Sequence, residues 1–441
     1  MMLPRPSVPL IRFLLPVLVA PYFIALAGCN SNIMANANSG PPSANLALVK
    51  RVMDRVETDY VVPVPDNKLV VDGLKGMLAG LDPHSDYLDE NEYQELISDS
   101  EGEFAGIGIE INRDENQLRV ISPIDDTPAA NAGLKAGDFI VRINGEPTDS
   151  MTLRDAVEKL RGPAGSAVRI TIERPNVRPF DVTLTRAVIR VASVKAKLEP
   201  GRIGYVRIVS FGEHTEGEFI AAVEQLRGQA GGSLAGLVLD LRNDPGGLLD
   251  SAVRIAGDLL GEGVVVTTRG RHQDDNETYR APPQGDKLKG VPVVVLINGA
   301  SASASEIVAG ALQDRKRAVL LGTRSFGKGS VQTIIPLDGQ GALRLTTARY
   351  YTPSGRSIQG DGIVPDVIVL PAKDAADVRS EIVHEVDLPG ALKNDTARGL
   401  ANPAQSNDDI TIDSRLIATD RDNQLNAALE RLRGRVVRNL S

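Results

Sequence analysis

Two short, uninterrupted apolar runs, Leu237-Val238-Leu239 and residues 293–297 (Val-Val-Val-Leu-Ile), constrain this chain more than any other feature. A strand with one face in water alternates polar and apolar residues, whereas a strand covered on both faces is apolar throughout. Each run ends in a turn rich in Asn, Asp or Gly and leads into a segment of helical periodicity. Residues 203–370 repeat this alternation, which predicts an α/β core with parallel strand pairings. Within it, Thr215 and Glu218 have the spacing of a capping box ahead of a helix whose apolar face is Phe219, Ala222, Val223 and Leu226.

At 441 residues the chain is too long for one ordinary core, so two or three domains joined by linkers are expected, in a mixed α/β, multidomain fold. Residues 45–100 read as a helical domain. Val49, Val52, Met53 and Val56 recur at helical spacing, Pro63 and Pro65 break the pattern, and a second amphipathic run covers about residues 66–80 before the turn Leu81-Asp82-Pro83-His84-Ser85. Residues 101–190 change to short β-type runs at 106–109, 118–122 and 139–143, the last followed by Asn144-Gly145. One helix lies among them, with Thr152 as its cap, Asp155 three residues on, an apolar face of Ala156, Val157 and Leu160, and Gly162-Pro163 as its stop. One helix on a small, mostly antiparallel sheet is therefore expected there. The α/β core occupies residues 191–372. Residues 373–441 form a polar tail ending in a helix with Leu425, Ala428, Leu429 and Leu432 on one face.

The N-terminus carries Arg5 and Arg12, then an apolar stretch at 13–27 interrupted by Pro16 and Pro21, then Leu26-Ala27-Gly28-Cys29. This is the pattern of a signal peptide, too short and too broken for a permanent spanning helix. Leu-Ala-Gly-Cys resembles the bacterial lipobox, which implies cleavage before Cys29, lipidation of its thiol and a lipid anchor on the periplasmic side of a cell-envelope membrane. Ala25-Leu26-Ala27 also fits ordinary cleavage, which would leave a soluble periplasmic protein. Residues 30–44, rich in Asn, Ala, Ser, Gly and Pro, read as a flexible tether. Cys29 is the sole cysteine, so an intramolecular disulfide and every multi-cysteine metal site are excluded. A formal net charge of -8 without a clustered basic face argues against nucleic acid as a partner.

Three constellations in the core carry chemistry. Asn298-Gly299-Ala300-Ser301-Ala302-Ser303-Ala304-Ser305-Glu306 follows an apolar strand and opens a helix, where free backbone N–H groups favour developing negative charge. Gly322-Thr323-Arg324-Ser325-Phe326-Gly327-Lys328-Gly329 nearly matches a phosphate-binding loop. It has Gly329 where Ser or Thr must meet magnesium, and it leads into strand-like residues instead of a helix, so nucleotide binding is rejected. A lysine held between glycines and turned into an apolar core is instead desolvated, which lowers its pKa toward the range of a general base. Asp240-Leu241-Arg242-Asn243-Asp244-Pro245-Gly246-Gly247 ends a buried strand, where glycines leave N–H groups open for an oxyanion. The four histidines, His84, His214, His272 and His384, lie in turns or polar stretches with no nucleophile-elbow motif to serve, so a serine nucleophile needs another base.

Together these segments resemble the carboxyl-terminal processing proteases, serine peptidases with a Ser-Lys dyad and an inserted PDZ domain. The similarity runs from about residue 45 to 372. It implies that Ser303 is the nucleophile, Lys328 the base, Gln332 the residue that orients the lysine, and the N–H groups of Gly247 and Ala304 the oxyanion hole. Glu306 and Asp314 also match acidic positions of the family, and both read as structural. Residues Gly106, Ile107, Gly108 and Ile109 resemble the PDZ loop that binds a terminal carboxylate while the peptide adds as a strand. The expected function is an exported serine endopeptidase that holds apolar C-termini of protein or peptide substrates and cleaves them through an acyl-enzyme, with no metal and no organic cofactor. The resemblance further implies a PDZ-like module that gates the dyad until a peptide or an activating adaptor binds, and helical segments that support a homo-oligomer.

Overall fold

The computed structural model describes residues 42–114, 117–124, 126–283, 285–372, 383–396, 412 and 416–435. The expected signal peptide, Cys29 and nearly all of the expected tether lie outside the described residues, as does about half of the polar tail. Among the described residues no helix is long and apolar enough to cross a membrane. The chain divides into two compact units, residues 1–66 and 67–441. The first contributes one described helix, α1 (Pro42–Asp59), whose exposed surface carries the i,i+4 ion pairs Lys50–Asp54 and Arg55–Asp59.

The second unit opens with α2 (Asp66–Ala79), the short strand β1 (Asp86–Leu88), α3 (Glu90–Glu101) and β2 (Glu103–Gly106). Asp89 caps α3 and Gly102 closes it in the left-handed conformation. An inserted β domain follows: β3 (Ile109–Asp114), β4 (Gln117–Pro123), the one-turn α4 (Pro128–Asn131), β5 (Phe139–Ile143), β6 (Glu146–Pro147), α5 (Leu153–Leu160), β7 (Ala167–Arg174) and β8 (Val177–Thr185). Its strands pair antiparallel in the order β3-β4-β5-β7-β8 around their own core of Leu118, Val120, Ile140, Ile143, Ile170 and Ile172. The sequence expectation for α5 holds in detail: Thr152 Oγ1 accepts the Asp155 N–H and Asp155 accepts the Thr152 N–H. The chain leaves this domain along β9 (Ala187–Arg190), which pairs antiparallel with β2, so entry and exit run side by side.

The remaining elements are β10 (Val194–Glu199), β11 (Ile203–Ile208), α6 (Thr215–Gln229), β12 (Gly236–Asp240), α7 (Leu249–Leu260), β13 (Val264–Gly270), β14 (Glu277–Arg280) and β15 (Val293–Ile297). They continue with α8 (Ala304–Asp314), β16 (Ala318–Gly322), β17 (Ser330–Pro336), β18 (Ala342–Tyr351), β19 (Val367–Ile368) and α9 (Asn423–Leu432). The central sheet runs β10-β11-β12-β15-β16-β19, parallel throughout except at its β10 edge. Every residue of β12 and β15 is buried, because alternate side chains feed two cores. Leu237, Leu239, Val293, Val295 and Ile297 pack on the side of α6, α7 and α8, while Val238, Val294 and Leu296 pack with Leu425, Ala428 and Leu429 of α9. The mixed α/β, multidomain class expected from the sequence is the one observed.

Two features depart from the sequence expectation. The proposed capping box of α6 is not formed: His214 stands at the cap position, Thr215 Oγ1 accepts the Gly212 N–H at 2.8 Å, and Glu218 accepts from the Ser193 and Val194 N–H groups. Both side chains are drawn off by the strand entering from the β domain. In addition, β13, β14, β17, β18 and β1 form a second, antiparallel sheet. The tail helix is not a free appendage, since it covers one face of the central sheet.

Candidate active site

The loop after β12 is anchored by a buried ionic cluster. Arg242, with no exposed surface, donates to Asp240, to both oxygens of Asp422 and to Gln424 Oε1, and the Tyr205 hydroxyl donates to Asp240. A buried guanidinium requires such compensation. Burial works against ionisation of Asp422, but the Arg242 hydrogen bonds and charge outweigh it and hold that carboxyl below its usual range.

Beyond Arg242 the chain turns through Asn243 to Gly247. Gly246 has φ +99°, and a Cβ there would stand 2.7 Å from the Ala302 carbonyl oxygen and 2.8 Å from Ser303 Cβ. Gly247 has φ +143°, and its Cβ would stand 2.2 Å from the Phe211 carbonyl oxygen. Only glycine allows these approaches. Phe211 donates its N–H to the Gly246 carbonyl and accepts from Leu248, which leaves the Gly247 N–H outside that pairing. The Asp244 carboxyl accepts the Gly246 N–H at 2.9 Å, and burial pushes its pKa up to about 8.

Ser303 is the residue before the first turn of α8, at φ +54° and ψ -111°, an uncommon backbone for a residue with a side chain. The Ala302 N–H donates to the Asp244 carbonyl, so the serine loop and the glycine loop are stitched together. A serine acting as a plain helix cap would bond the N–H groups of the first turn through its Oγ. Here Glu306 takes the Ser303 N–H at 2.8 Å, and Ser303 makes no side-chain cap bond. Burial drives the Tyr350 hydroxyl well above its usual pKa, opposed in part by the Ser303 side chain.

Glu306 is fully buried and accepts four donors: the Ser303 and Lys328 N–H groups on Oε2, and the Ser325 hydroxyl and Gly327 N–H on Oε1. Burial pushes its pKa up to about 7, against the pull of all four. Lys328 lies in the loop between β16 and β17. Burial lowers its pKa, with Arg344 acting in the same direction and Glu385, Glu306 and Asp82 opposing. The strand following it rules out a phosphate-binding loop, as the sequence indicates.

The structure thus collects Gly247, Ser303, Ala304 and Lys328 about Glu306 and the Gly246 turn. Among the described residues Lys328 Nζ has no hydrogen-bond partner, and the Gln332 amide nitrogen donates to Ser330 Oγ at 2.9 Å and Thr346 Oγ1 at 3.2 Å. Asp314, at the far end of α8, pairs with Arg356 and the Ser354 N–H. Gly106, Ile107, Gly108 and Ile109 lie apart from these residues. They border a groove of about 110 Å³ against α5, completed by Phe104, Val157 and Leu160. The N–H groups of Ile107 and Gly108 donate to no backbone carbonyl among the described residues.

Sequence reasoning did not single out Tyr350 or Glu385; Glu306, which it read as structural, holds the Ser303 and Lys328 N–H groups. Glu306 had a sequence signal, its place three residues after Ser303. Tyr350 and Glu385 had none, because only the fold brings them to the site.

Peptidase family S41 matches residues 202–369, and a PDZ domain matches residues 119–174. A carboxy-terminal-processing protease of Bartonella bacilliformis is 46% identical over 402 residues, 89% of this chain and 89% of that protein. The carboxy-terminal processing protease CtpA of Bacillus subtilis is 31% identical over 339 residues, 77% of this chain and 72% of that protein. Among solved structures, the photosystem II D1 C-terminal processing protease is 31% identical, with a TM-score of 0.44 over 73% of this chain and 92% of that one. With such identity along nearly the whole length of the Bartonella protein, and with both domains matched, the chain belongs to the carboxy-terminal processing proteases, serine peptidases of family S41 that carry a PDZ domain.

Proposed function

We propose that this protease cleaves through a Ser303-Lys328 dyad, on substrates whose apolar C-termini are held in the groove of its PDZ domain. The observation that carries the reading is the shared carboxylate: Ser303 and Lys328 both donate their N–H groups to Glu306 Oε2, which holds their backbones beside one another. Neutral Lys328 takes the proton of Ser303 Oγ as the oxygen attacks the scissile carbonyl, and the Gly247 and Ala304 N–H groups stabilise the oxyanion. Lys328 then gives that proton to the leaving amine, and water hydrolyses the acyl-enzyme. Gln332 orients Lys328 once its amide leaves Ser330 and Thr346. The peptide adds beside β3, its carboxylate against the N–H groups at Gly106 to Ile109.

The protein acts on the periplasmic side of the cell envelope, anchored through a lipid on Cys29. The lipobox at residues 26–29 supports this part of the reading. Cys29→Ser is expected to release the protein to the soluble fraction; unchanged membrane fractionation would remove the anchor from the reading.

The deciding experiment is cleavage of an unstructured protein with an apolar C-terminus by the chain lacking residues 1–29. Ser303→Ala and Lys328→Ala are expected to lose turnover, and wild-type rates in either would overturn the dyad. Ile107→Asp is expected to raise KM and leave kcat near its original value, and an unchanged KM would remove the PDZ groove from substrate binding.

A further inference from the structure

Residues 383–396 include a single 3-10 turn, Glu385–Asp387, which reaches back to the loop bearing Lys328. Glu385 has no exposed surface, a costly place for a carboxyl unless both oxygens find partners. They do: Oε1 accepts from Gln359 Nε2 at 2.8 Å, and Oε2 meets His84 Nε2 at 2.8 Å. The Glu385 N–H donates to the Phe326 carbonyl at 3.1 Å. Gln359, itself fully buried, passes the contact on, since its Oε1 accepts the Gly329 N–H at 3.0 Å. The four residues from Phe326 to Gly329 are therefore gripped twice. Glu306 holds the N–H groups of Gly327 and Lys328, and the Glu385-Gln359 pair holds the Phe326 carbonyl and the Gly329 N–H.

We propose that Glu385 is a positioning residue of the protease, fixing the loop that carries Lys328. The inference rests on Lys328 being the base. The charges that act on the lysine are those of Glu385 from the tail segment, Arg344 from β18, Glu306 from α8 and Asp82 from the turn before β1. After burial, which lowers the lysine, Glu385 acts on it most strongly and in the raising direction. His84, from the same turn as Asp82, is the titratable partner of Glu385 itself. Residues 383–396 thereby belong to the catalytic apparatus, although they lie beyond the S41 match at 202–369.

Glu385→Gln tests the charge with little change of shape. The amide oxygen still accepts from Gln359, and the amide nitrogen donates to His84 in its other tautomer. Expected is an acidic limb of kcat/KM displaced to lower pH, by about tenfold in proton concentration, because a lysine without its counter-charge loses its proton more readily. Glu385→Ala also releases the loop, with kcat expected to fall about 100-fold and KM for a PDZ-bound substrate changed less than twofold. A pH profile of Glu385→Gln superimposable on the wild type would overturn the charge role, and kcat of Glu385→Ala within twofold would overturn the positioning role. Lys328→Ala and Ser303→Ala measured alongside separate the two readings. Turnover in either would sink the dyad whatever Glu385 does, whereas inactive dyad variants with kcat of Glu385→Ala within twofold of the wild type would leave the dyad standing and sink only this inference.

Discussion

Ser303 and Lys328, from loops on different strands of the central sheet, donate their backbone N–H groups to the same atom, Glu306 Oε2, at 2.8 and 2.9 Å. An amide at position 306 presents NH₂ where one of the two oxygens accepts, so at least one buried N–H loses its partner. Glu306→Gln is expected to lower kcat about 100-fold, the scale of an ångström-sized displacement of reacting groups. Steady-state kinetics with circular dichroism as the folding control checks it, and kcat within threefold of the wild type would contradict the coupling.

Gly246 tests the same site from the other loop. A methyl group there meets the Ala302 oxygen, Ser303 Cβ and the Ala304 nitrogen, all at 2.9 Å or closer. Gly246→Ala is expected to reduce kcat/KM by about 10²–10³, as the loss of one oxyanion donor does, and to destabilise the fold by about 1–3 kcal/mol. Gly201 has φ +90° and open space around it, so Gly201→Ala carries the backbone strain alone, with cleavage unchanged. Equal activity of the two variants would mean that the glycine loop does not shape the oxyanion site.

Asp244 predicts a pH dependence of stability. Its folded pKa of about 8 lies above that of an unfolded aspartate, so the folded state binds the extra proton between those values. The contribution is fully present below about pH 4 and is lost as pH rises through about 8, with a slope of up to roughly 1.4 kcal/mol per pH unit. Asp244→Asn should remove that slope from the urea-unfolding free energy while retaining activity, because a neutral amide resembles the protonated acid. Parallel wild-type and Asp244→Asn stability curves between pH 5 and 8 would show that the carboxyl is ionised throughout.

The Arg242 cluster predicts how α9 is held. Arg242→Met leaves Asp240 and Asp422 buried without their counter-charge, at a cost of about 3–5 kcal/mol in urea unfolding. Asp422 titrates the opposite way to Asp244. Its folded pKa is depressed, so the stability it contributes is present above its unfolded value, near pH 4, and is lost as pH falls through the folded value. That acid-side loss should vanish in Arg242→Met, and its persistence there would contradict the pairing.

The sequence was most legible where a residue's neighbours in the chain decide its environment. Leu237 to Leu239 and residues 293–297 announce strands covered on both sides because nothing polar interrupts them, and Thr152 with Asp155 closes a cap within one turn. Thr215 and Glu218 carry the same local signal and end elsewhere, since Ser193 offers both of them a partner across the fold. The antiparallel sheet of β13, β17 and β18 was not foreseen, because pairings such as Thr267 with Tyr351 join segments far apart in sequence. For the same reason the serine and lysine loops could be placed by motif, whereas Tyr350, whose N–H meets the Gly329 carbonyl, and Glu385 behind the lysine loop had no local signature.

The ribbon formed by β2 and β9 has an evolutionary consequence. Gly106 and Ala187 are direct partners in it, the last pair before the chain departs into the β domain and returns. Two chain ends that already lie across one rung can be rejoined by a tight turn, so about eighty residues can be lost, exchanged or duplicated at this point without rethreading the catalytic core. A gene encoding this architecture can therefore change what the enzyme recognises by a single recombination event, while the residues that perform hydrolysis are inherited intact.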